Sequence, residues 1–496
     1  MEKTGSKKHK KPIAILLRSK LLDDDVQKRE QDCGDCACAV TPVNDVFSLE
    51  ENSAFQSTKD VTLIQLSRGW RGLYLSNGAN SLVVLNQAAY NLWKGFNESR
   101  SFSALNQEKL RNIQEMAKIG LLVSPDTQQP TLKKTQNTQL SAWLHITDRC
   151  NLRCAYCYLP HKREDMTLET GKAAIAAIFR EARDNGYKQV KFKYSGGEAL
   201  LCFPLVVELH QYAWQLAAEY ALELDGVILS NGTLLTEEII TTMQGLGLRL
   251  MISLDGMAEW HDSQRPYAGG RGTFVDVAES VELALAHNLI PDISITVSGR
   301  SAEGLPEIIA WVLERELPFS LNFYRQNDFS VSHEDLKLEE EKIINGMLSA
   351  FKVIEYNLPE RSLLSALVDR ANLSSPHLKT CSVGDSYLVF NQHGQVSKCQ
   401  MKMDKSIADV HTGNLLQVVR EDKTGIQNLS VEEKEGCRDC EWKYWCTGGC
   451  PLESYRVTGQ YDAKSPNCNI YKTIFPEVLR LEGLRLLKEA GELVEV

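Results

Sequence analysis

Long apolar runs are scarce in this 496-residue sequence, and no stretch approaches the ~18 unbroken apolar residues of a membrane span. Positive charge is also short: 55 Lys and Arg stand against 65 Asp and Glu, a formal charge of −10. No overall basic field is available to hold a phosphate backbone or an anionic membrane, so neither nucleic acid nor membrane is expected as a partner. The lysine-rich start is followed by an apolar run at 13–17 that is too brief for a signal-peptide core, so a soluble, cytoplasmic protein is expected. Disorder is excluded for most of the chain, which is 43% hydrophobic and 24% charged. Cysteine is too sparse for a disulfide scaffold, which needs ~8–10%. Yet of the 14 cysteines most fall into tight or patterned groups, and in a reducing compartment such grouping points to metal.

The length predicts two to four domains. Residues 1–45 are polar and aperiodic and read as a mobile tail carrying Cys33, Cys36 and Cys38, which are taken as incidental or regulatory thiols. Between 61 and 85 three short strands are broken by Arg68-Gly69 and Asn77-Gly78, both hairpin signals. Leu85, Ala89, Leu92 and Phe96 then share one helical face, and Leu110, Ile113 and Ala117 another, ending at Gly120. A small winged-helix-like module over 46–126 is expected, followed by a polar linker at 127–139.

Beyond the linker, strand-like runs at 143–146, 190–194, 226–229, 248–254, 293–297 and 321–324 alternate with amphipathic helices such as 173–182, 205–217 and 305–313. Six strand-then-helix units predict an α/β parallel sheet over 140–330, curled by right-handed crossovers into an open barrel with its ligand site at the C-terminal strand ends. A helical bridge at 331–380, a cysteine-rich region at 381–475 without regular periodicity, and a closing helix at 476–496 complete the expected order.

After the first barrel strand comes Cys150-x3-Cys154-x2-Cys157. Three thiolates can hold three irons of a 4Fe–4S cube and leave the fourth iron open to a small molecule; a zinc knuckle or buried core thiols are the bland alternatives. The second strand ends in Gly196-Gly197-Glu198, the third in Ser230-Asn231-Gly232, and the fourth in Ser253-Leu-Asp255-Gly256 before a loop with His261, Asp262 and Arg265. Glycines let a ligand approach the backbone, and the polar groups suit an ammonium, a ribose and a carboxylate, although Asn-Gly and Asp-Gly are also plain turn dipeptides.

These residues resemble the radical S-adenosylmethionine (radical SAM) superfamily, whose signature is the Cys-x3-Cys-x-aromatic-Cys loop, with Tyr156 in the aromatic place. The resemblance implies a partial (β/α)6 barrel and a cluster on Cys150, Cys154 and Cys157 that cleaves S-adenosyl-L-methionine. It implies that Gly196, Gly197 and Glu198 meet the methionine amino group, Ser253 and Arg265 the carboxylate, Ser230 and Asn231 the ribose region, and the backbone near Thr296 the adenine.

A second array comprises Cys381, Gly394, Cys399, then Cys437-x2-Cys440-x5-Cys446-x3-Cys450, and Cys468. Seven thiols exceed one tetrahedral site, and the five-residue gap is short for a zinc ribbon. The array resembles the SPASM extension of radical SAM enzymes. That resemblance implies two auxiliary 4Fe–4S clusters, one on Cys381, Cys399 and Cys450 without a matching eighth cysteine, the other on Cys437, Cys440, Cys446 and Cys468. Gln400 stands where the related sulfatase maturases carry a basic Asp, and an amide cannot take a proton near neutral pH. The front module resembles the PqqD-like recognition element, which binds leader peptides of ribosomally made natural products by strand addition; a packing brace is the alternative. Cys202 is expected as a buried core thiol, and His145 and His210 as structural. Together the resemblances imply a three-cluster enzyme that cross-links a ribosomal precursor peptide and draws electrons from a flavodoxin- or ferredoxin-type donor. Maturation of a protein enzyme, of sulfatase or quinohemoprotein type, and a non-catalytic iron–sulfur scaffold are the other readings.

Overall fold

The computed structural model describes residues 14–16, 54–59, 61–67, 69–76, 81–99, 107–124 and 137–493; Cys33, Cys36, Cys38 and the Asn77-Gly78 pair lie outside them. In the front module the short strands are β1 (Ile15–Leu16), β2 (Gln56–Ser57), β3 (Val61–Gln65), β4 (Trp70–Leu75), β5 (Leu82–Asn86) and β6 (Leu122–Val123). An antiparallel sheet forms in the order β1-β5-β4-β3, and β2 pairs with β6. Leu85, expected on the first helix, instead lies in β5, because the Asn86 side chain accepts from the Ala89 amide and caps the helix, which begins only at Gln87. A further difference lies in the N-terminal segment, expected to be a mobile tail. Ile15 pairs with Leu85 and its side chain fills the module's core beside Leu73 and Val83, while the Asn86 amide donates to the Ala14 carbonyl at 3.1 Å.

The module's other sheet face is not solvated. Ile64, Trp70 and Tyr74 merge with the main core, the Tyr74 ring stacks on Trp442 at 4.2 Å, and its hydroxyl donates to the Glu441 carbonyl at 2.8 Å. Trp445 Nε1 donates to the Ser76 carbonyl at 3.1 Å, so two aromatic residues of the cysteine-rich region anchor the module.

The barrel strands are β7 (Gln139–Thr147), β8 (Gln189–Gly196), β9 (Glu223–Ser230), β10 (Arg249–Ser253), β11 (Asp292–Val297) and β12 (Phe319–Phe323), each parallel to the next. Their near-continuous apolar burial follows from the helices that cover them. The helix Leu168–Asp184 shows why: Thr167 caps it, and Ala174, Ile175, Ile178, Phe179 and Ala182 form its buried face. The helices Phe203–Tyr220, Glu237–Gly245, Phe274–Ala286 and Leu305–Glu314 complete the crossovers, so an α/β partial barrel with all its C-terminal strand ends on one mouth results.

Two features depart from the sequence expectation. The regular helix of the bridge covers only Glu340–Tyr356, ending just before Leu358-Pro359, and the chain to 386 is irregular. The cysteine-rich region also contains strands, β13 (Tyr387–Phe390), β14 (Gln395–Ser397) and β15 (Ala408–Asp409). Of these β13 runs parallel to β7 and extends the barrel into one nine-stranded sheet. The final helix, Cys468–Glu489, begins at the last motif cysteine and packs along the front module.

Candidate active site

Cys150, Cys154 and Cys157 lie in the loop after β7 at the barrel mouth and are electrostatic neighbours of one another. Burial pushes the Cys150 thiol up to about 11 and the Cys157 thiol up to about 12, with neighbouring cysteines adding to both. A bound metal cation would invert that balance and draw the thiols to thiolates. The two glycines at the end of β8 seat this loop. A Cβ on Gly196 would stand 2.3 Å from the Thr147 carbonyl, and one on Gly197 would stand 2.2 Å from that of Arg149. The Gly197 and Glu198 amides donate to those same carbonyls at 2.7 and 2.8 Å. The close approach these glycines permit is therefore that of the cysteine loop's own backbone.

Glu198 is fully buried, and burial raises its carboxyl. It accepts from the Leu200 amide, the Ser230 hydroxyl at 2.9 Å and the Asn231 amide at 2.7 Å, tying the ends of β8 and β9 together. Asn231 reaches back with Nδ2 to Asn151 at 2.8 Å and to the Cys150 sulfur at 3.9 Å. Across the mouth, the Tyr156 hydroxyl donates to Asp255 at 2.5 Å and accepts from Arg265. Asp255 also accepts from the Thr296 amide at 2.8 Å, so that amide is already engaged. Ser253 closes β10, paired in register with Ser294 of β11. Arg265 is buried beside Asp255, and its Nε has no hydrogen-bond partner, an orphaned cationic donor directed at no protein group.

Two polar residues of that loop are structural. His261 is buried, accepting from the Asp255 amide and bonded to Thr273, while Asp262 accepts from the Thr273 and Phe274 amides at the start of helix Phe274–Ala286. Cys202, expected in the core, is half-buried and receives a hydrogen bond from Arg149 at 3.2 Å, because the turn after Glu198 brings it against the cysteine loop. His210 is buried against Tyr194 and His145 against Asp148, both structural as expected. Asn327, beyond β12, was not singled out from sequence. Its Nδ2 donates to the Tyr156 carbonyl at 3.0 Å, and the rule that strand ends carry the site, applied to the sixth strand, would have found it.

The seven later cysteines divide into two sets. Cys381, Cys399 and Cys450 are electrostatic neighbours, as are Cys437, Cys440, Cys446 and Cys468. Thr447, Gly448 and Gly449, with φ of 54, 82 and 69°, make three consecutive left-handed residues. This turn carries Cys450 out of the set to which Cys446 belongs. Buried Lys434 lies between the sets, donating to the Thr447 carbonyl at 2.8 Å, and Asn428 Nδ2 contacts the Cys381 sulfur at 3.6 Å. Neither residue carried a sequence signal. Gln400 is buried and accepts from the Tyr387 hydroxyl at 3.0 Å.

Among the described residues no three His, Cys, Asp or Glu side chains converge closely enough for a single metal ion. The thiol sets of three, three and four instead suit clusters in which each thiolate takes its own iron. The unpartnered Arg265 Nε beside the first set suits a carboxylate ligand.

Residues 144–312 match the Radical SAM superfamily model. The chain is 24% identical over 354 residues to the serine-type anaerobic sulfatase-maturating enzyme of Bacteroides thetaiotaomicron, covering 62% of this chain and 81% of that one. It is 29% identical over 164 residues to the antilisterial bacteriocin subtilosin biosynthesis protein AlbA of Bacillus subtilis, covering 32% and 33%. The structure of native anSMEcpe with bound AdoMet and Cp18Cys peptide superposes with a TM-score of 0.57 at 19% identity, covering 72% of this chain and 100% of that one, a likeness of fold. The matched segment spans the cysteine loop and the strand ends that surround it, so residues 144–312 are the radical SAM enzyme domain of this chain.

Proposed function

We propose that this enzyme modifies a peptide, using one cluster at Cys150, Cys154 and Cys157 and two auxiliary clusters on the later cysteines. The observation that carries the reading is the pair of separate thiol sets, one of three and one of four, beside a barrel mouth that already holds three thiols. Cys150, Cys154 and Cys157 would hold a 4Fe–4S cluster, which when bound would supply the electron for reductive cleavage of S-adenosyl-L-methionine. The chain's own residues do the positioning. Arg265 Nε would receive the carboxylate, and Tyr156 is held by Asp255 and Asn327. The Gly196-Gly197-Glu198 segment is assigned to the amino group by resemblance, through groups other than the Gly197 and Glu198 amides, which are taken by the cysteine loop. Ser253, Ser230, Asn231 and Thr296 complete the proposed SAM contacts.

The product is a thioether or carbon–carbon cross-link in a ribosomal precursor peptide, with a flavodoxin- or ferredoxin-type protein as electron donor. The likeness to the subtilosin biosynthesis protein supports a peptide substrate. The front sheet supports leader capture, since among the described residues β3 pairs only with β4 and its outer edge is available for an added strand. Maturation of a protein enzyme is the second reading, favoured by likeness to the sulfatase-maturating enzyme. Against formylglycine chemistry, position 400 holds an amide already engaged with Tyr387.

The test is anaerobic incubation of reconstituted enzyme with SAM, reductant and a short peptide encoded beside this chain. The expected result is 5′-deoxyadenosine and a peptide lighter by two hydrogens with a new internal link. Unchanged mass would mean epimerisation, and no 5′-deoxyadenosine would leave only the scaffold reading.

A further inference from the structure

A cavity of about 500 Å³ opens between the segment after β12 and the helix Pro451–Thr458. Its walls include Asn327, Val331, Glu453, Val457 and Asn467. Its position is informative: Asn327 holds the Tyr156 carbonyl of the cysteine loop, Glu453 lies one helical turn after Cys450, and Asn467 precedes Cys468. One cavity thus touches the supports of all three thiol sets.

Two features of its lining call for an occupant. Glu453 Oε1 accepts from Asn467 Nδ2 at 3.1 Å, which fixes the carboxylate, while Oε2 is buried with no hydrogen-bond partner. A buried carboxylate oxygen left unpaired is costly, and in the ionised form, which only accepts, the partner it lacks is a donor. Of the lining residues, Val331 and Val457 are 54 and 66% exposed, one large apolar side chain on each wall of the opening. Single exposed apolar residues are ordinary, but those around a cavity with a convergent polar group mark a binding site.

We infer that this cavity seats the segment of the peptide that is modified, with a backbone N–H donating to Glu453 Oε2 and an aliphatic side chain packed between Val331 and Val457. The inference rests on the peptide-modifying reading and adds the subsite and its preference: an extended, aliphatic segment rather than an acidic one. Arg456, whose Nη1 donates to the Gln326 carbonyl, ties the two walls and keeps the opening's width. Arg325, whose charge neighbours Glu453, is paired with Asp369, so the carboxylate's second oxygen is left for the substrate.

The probes are two blocked tripeptides, acetyl-Gly-Val-Gly-amide and acetyl-Gly-Glu-Gly-amide, added to the reconstituted full chain and followed by saturation-transfer NMR. The valine probe should bind in the millimolar range and the glutamate probe at least tenfold more weakly. Glu453→Gln should weaken the valine probe about tenfold, as loss of a hydrogen bond to a charged group does. Val457→Glu, and on the opposite wall Val331→Glu, should each abolish its signal, with iron content confirming that each variant folds. No binding to the wild-type chain, equal binding of both probes, or indifference to all three substitutions would overturn the inference. The two readings fail differently. A chain that modifies its precursor equally well with Val331→Glu and Val457→Glu refutes the subsite alone, whereas probe binding with no modified peptide refutes the reaction and leaves the subsite.

Discussion

Asp369 ties the end of the barrel to the cysteine-rich region, and replacing it gives a graded test of how the two are held together. It accepts from Arg325 at 2.7 and 3.0 Å, from the Phe323 amide at 2.9 Å and from the Tyr471 hydroxyl at 2.8 Å. These donors come from the end of the last barrel strand and from the helix that begins at Cys468. Both charges are buried, so Asp369→Ala leaves the Arg325 guanidinium uncompensated, a loss of about 3–5 kcal/mol. The residue also has a φ of 51°, which Asp tolerates better than Ala, adding about 1 kcal/mol. Asp369→Asn tolerates that backbone and removes only the charge, so it should fall between Asp369→Ala and Tyr471→Phe, which loses one hydrogen bond worth about 1 kcal/mol. Anaerobic urea unfolding of the reconstituted chain, followed by tryptophan fluorescence and by cluster absorbance, reads this order from the midpoints. The four-thiol set should lose iron first in Asp369→Ala, since Cys468 heads the helix that loses its tether. The reasoning fails if Asp369→Ala lies within about 1 kcal/mol of wild type, or if Tyr471→Phe costs as much.

Replacing Cys150, Cys154 and Cys157 together by Ala should remove about four of about 12 irons and all 5′-deoxyadenosine formation, leaving the auxiliary spectra, as iron assay and electron paramagnetic resonance would report. Gly197→Ala should do the same from outside the thiol set, because its new Cβ would stand 2.2 Å from the Arg149 carbonyl; retained iron at the mouth would refute the seating role. Burial lowers His210 from its ordinary value to about 4. The unfolded chain therefore binds the proton more readily between pH ~6.5 and about 4, and the stability this neutral histidine contributes, about 3 kcal/mol, is lost as pH falls through that window. His210→Phe keeps a ring over Gly226, and its urea-unfolding free energy should show a correspondingly shallower slope across the window; identical slopes would sink the assignment. Deleting the front module is a poor test of leader capture, because it would bare the faces of Trp442 and Trp445 that Tyr74 and Ser76 now cover. A charged substitution on exposed β3, Leu63→Glu, should weaken precursor binding without loss of iron.

The sequence by itself determined the alternating strand and helix order, the position of the mouth and the Cys150, Cys154, Cys157 loop, because apolar periodicity and short-range spacing are local properties of the chain. Which of the later thiols meet is not given by spacing, and in the sequence it came only from a resemblance: Cys450 stands four residues from Cys446 yet lies beside Cys381 and Cys399, through three left-handed residues whose combined turn is a tertiary feature. Tertiary structure alone decided what the two glycines after β8 are for, since their near neighbours are carbonyls some fifty residues earlier in the chain. Residues 15–16 read as tail because the brief apolar run at 13–17 carries no period, and only the edge of β5 gives them a partner. The strand at 387–390 was hidden for the same reason: its four buried residues look like any short apolar run until β7 is found beside them. Glu453 is likewise silent in sequence, because an unpaired buried oxygen is a property of the space around a side chain, and that space is made by segments more than a hundred residues apart.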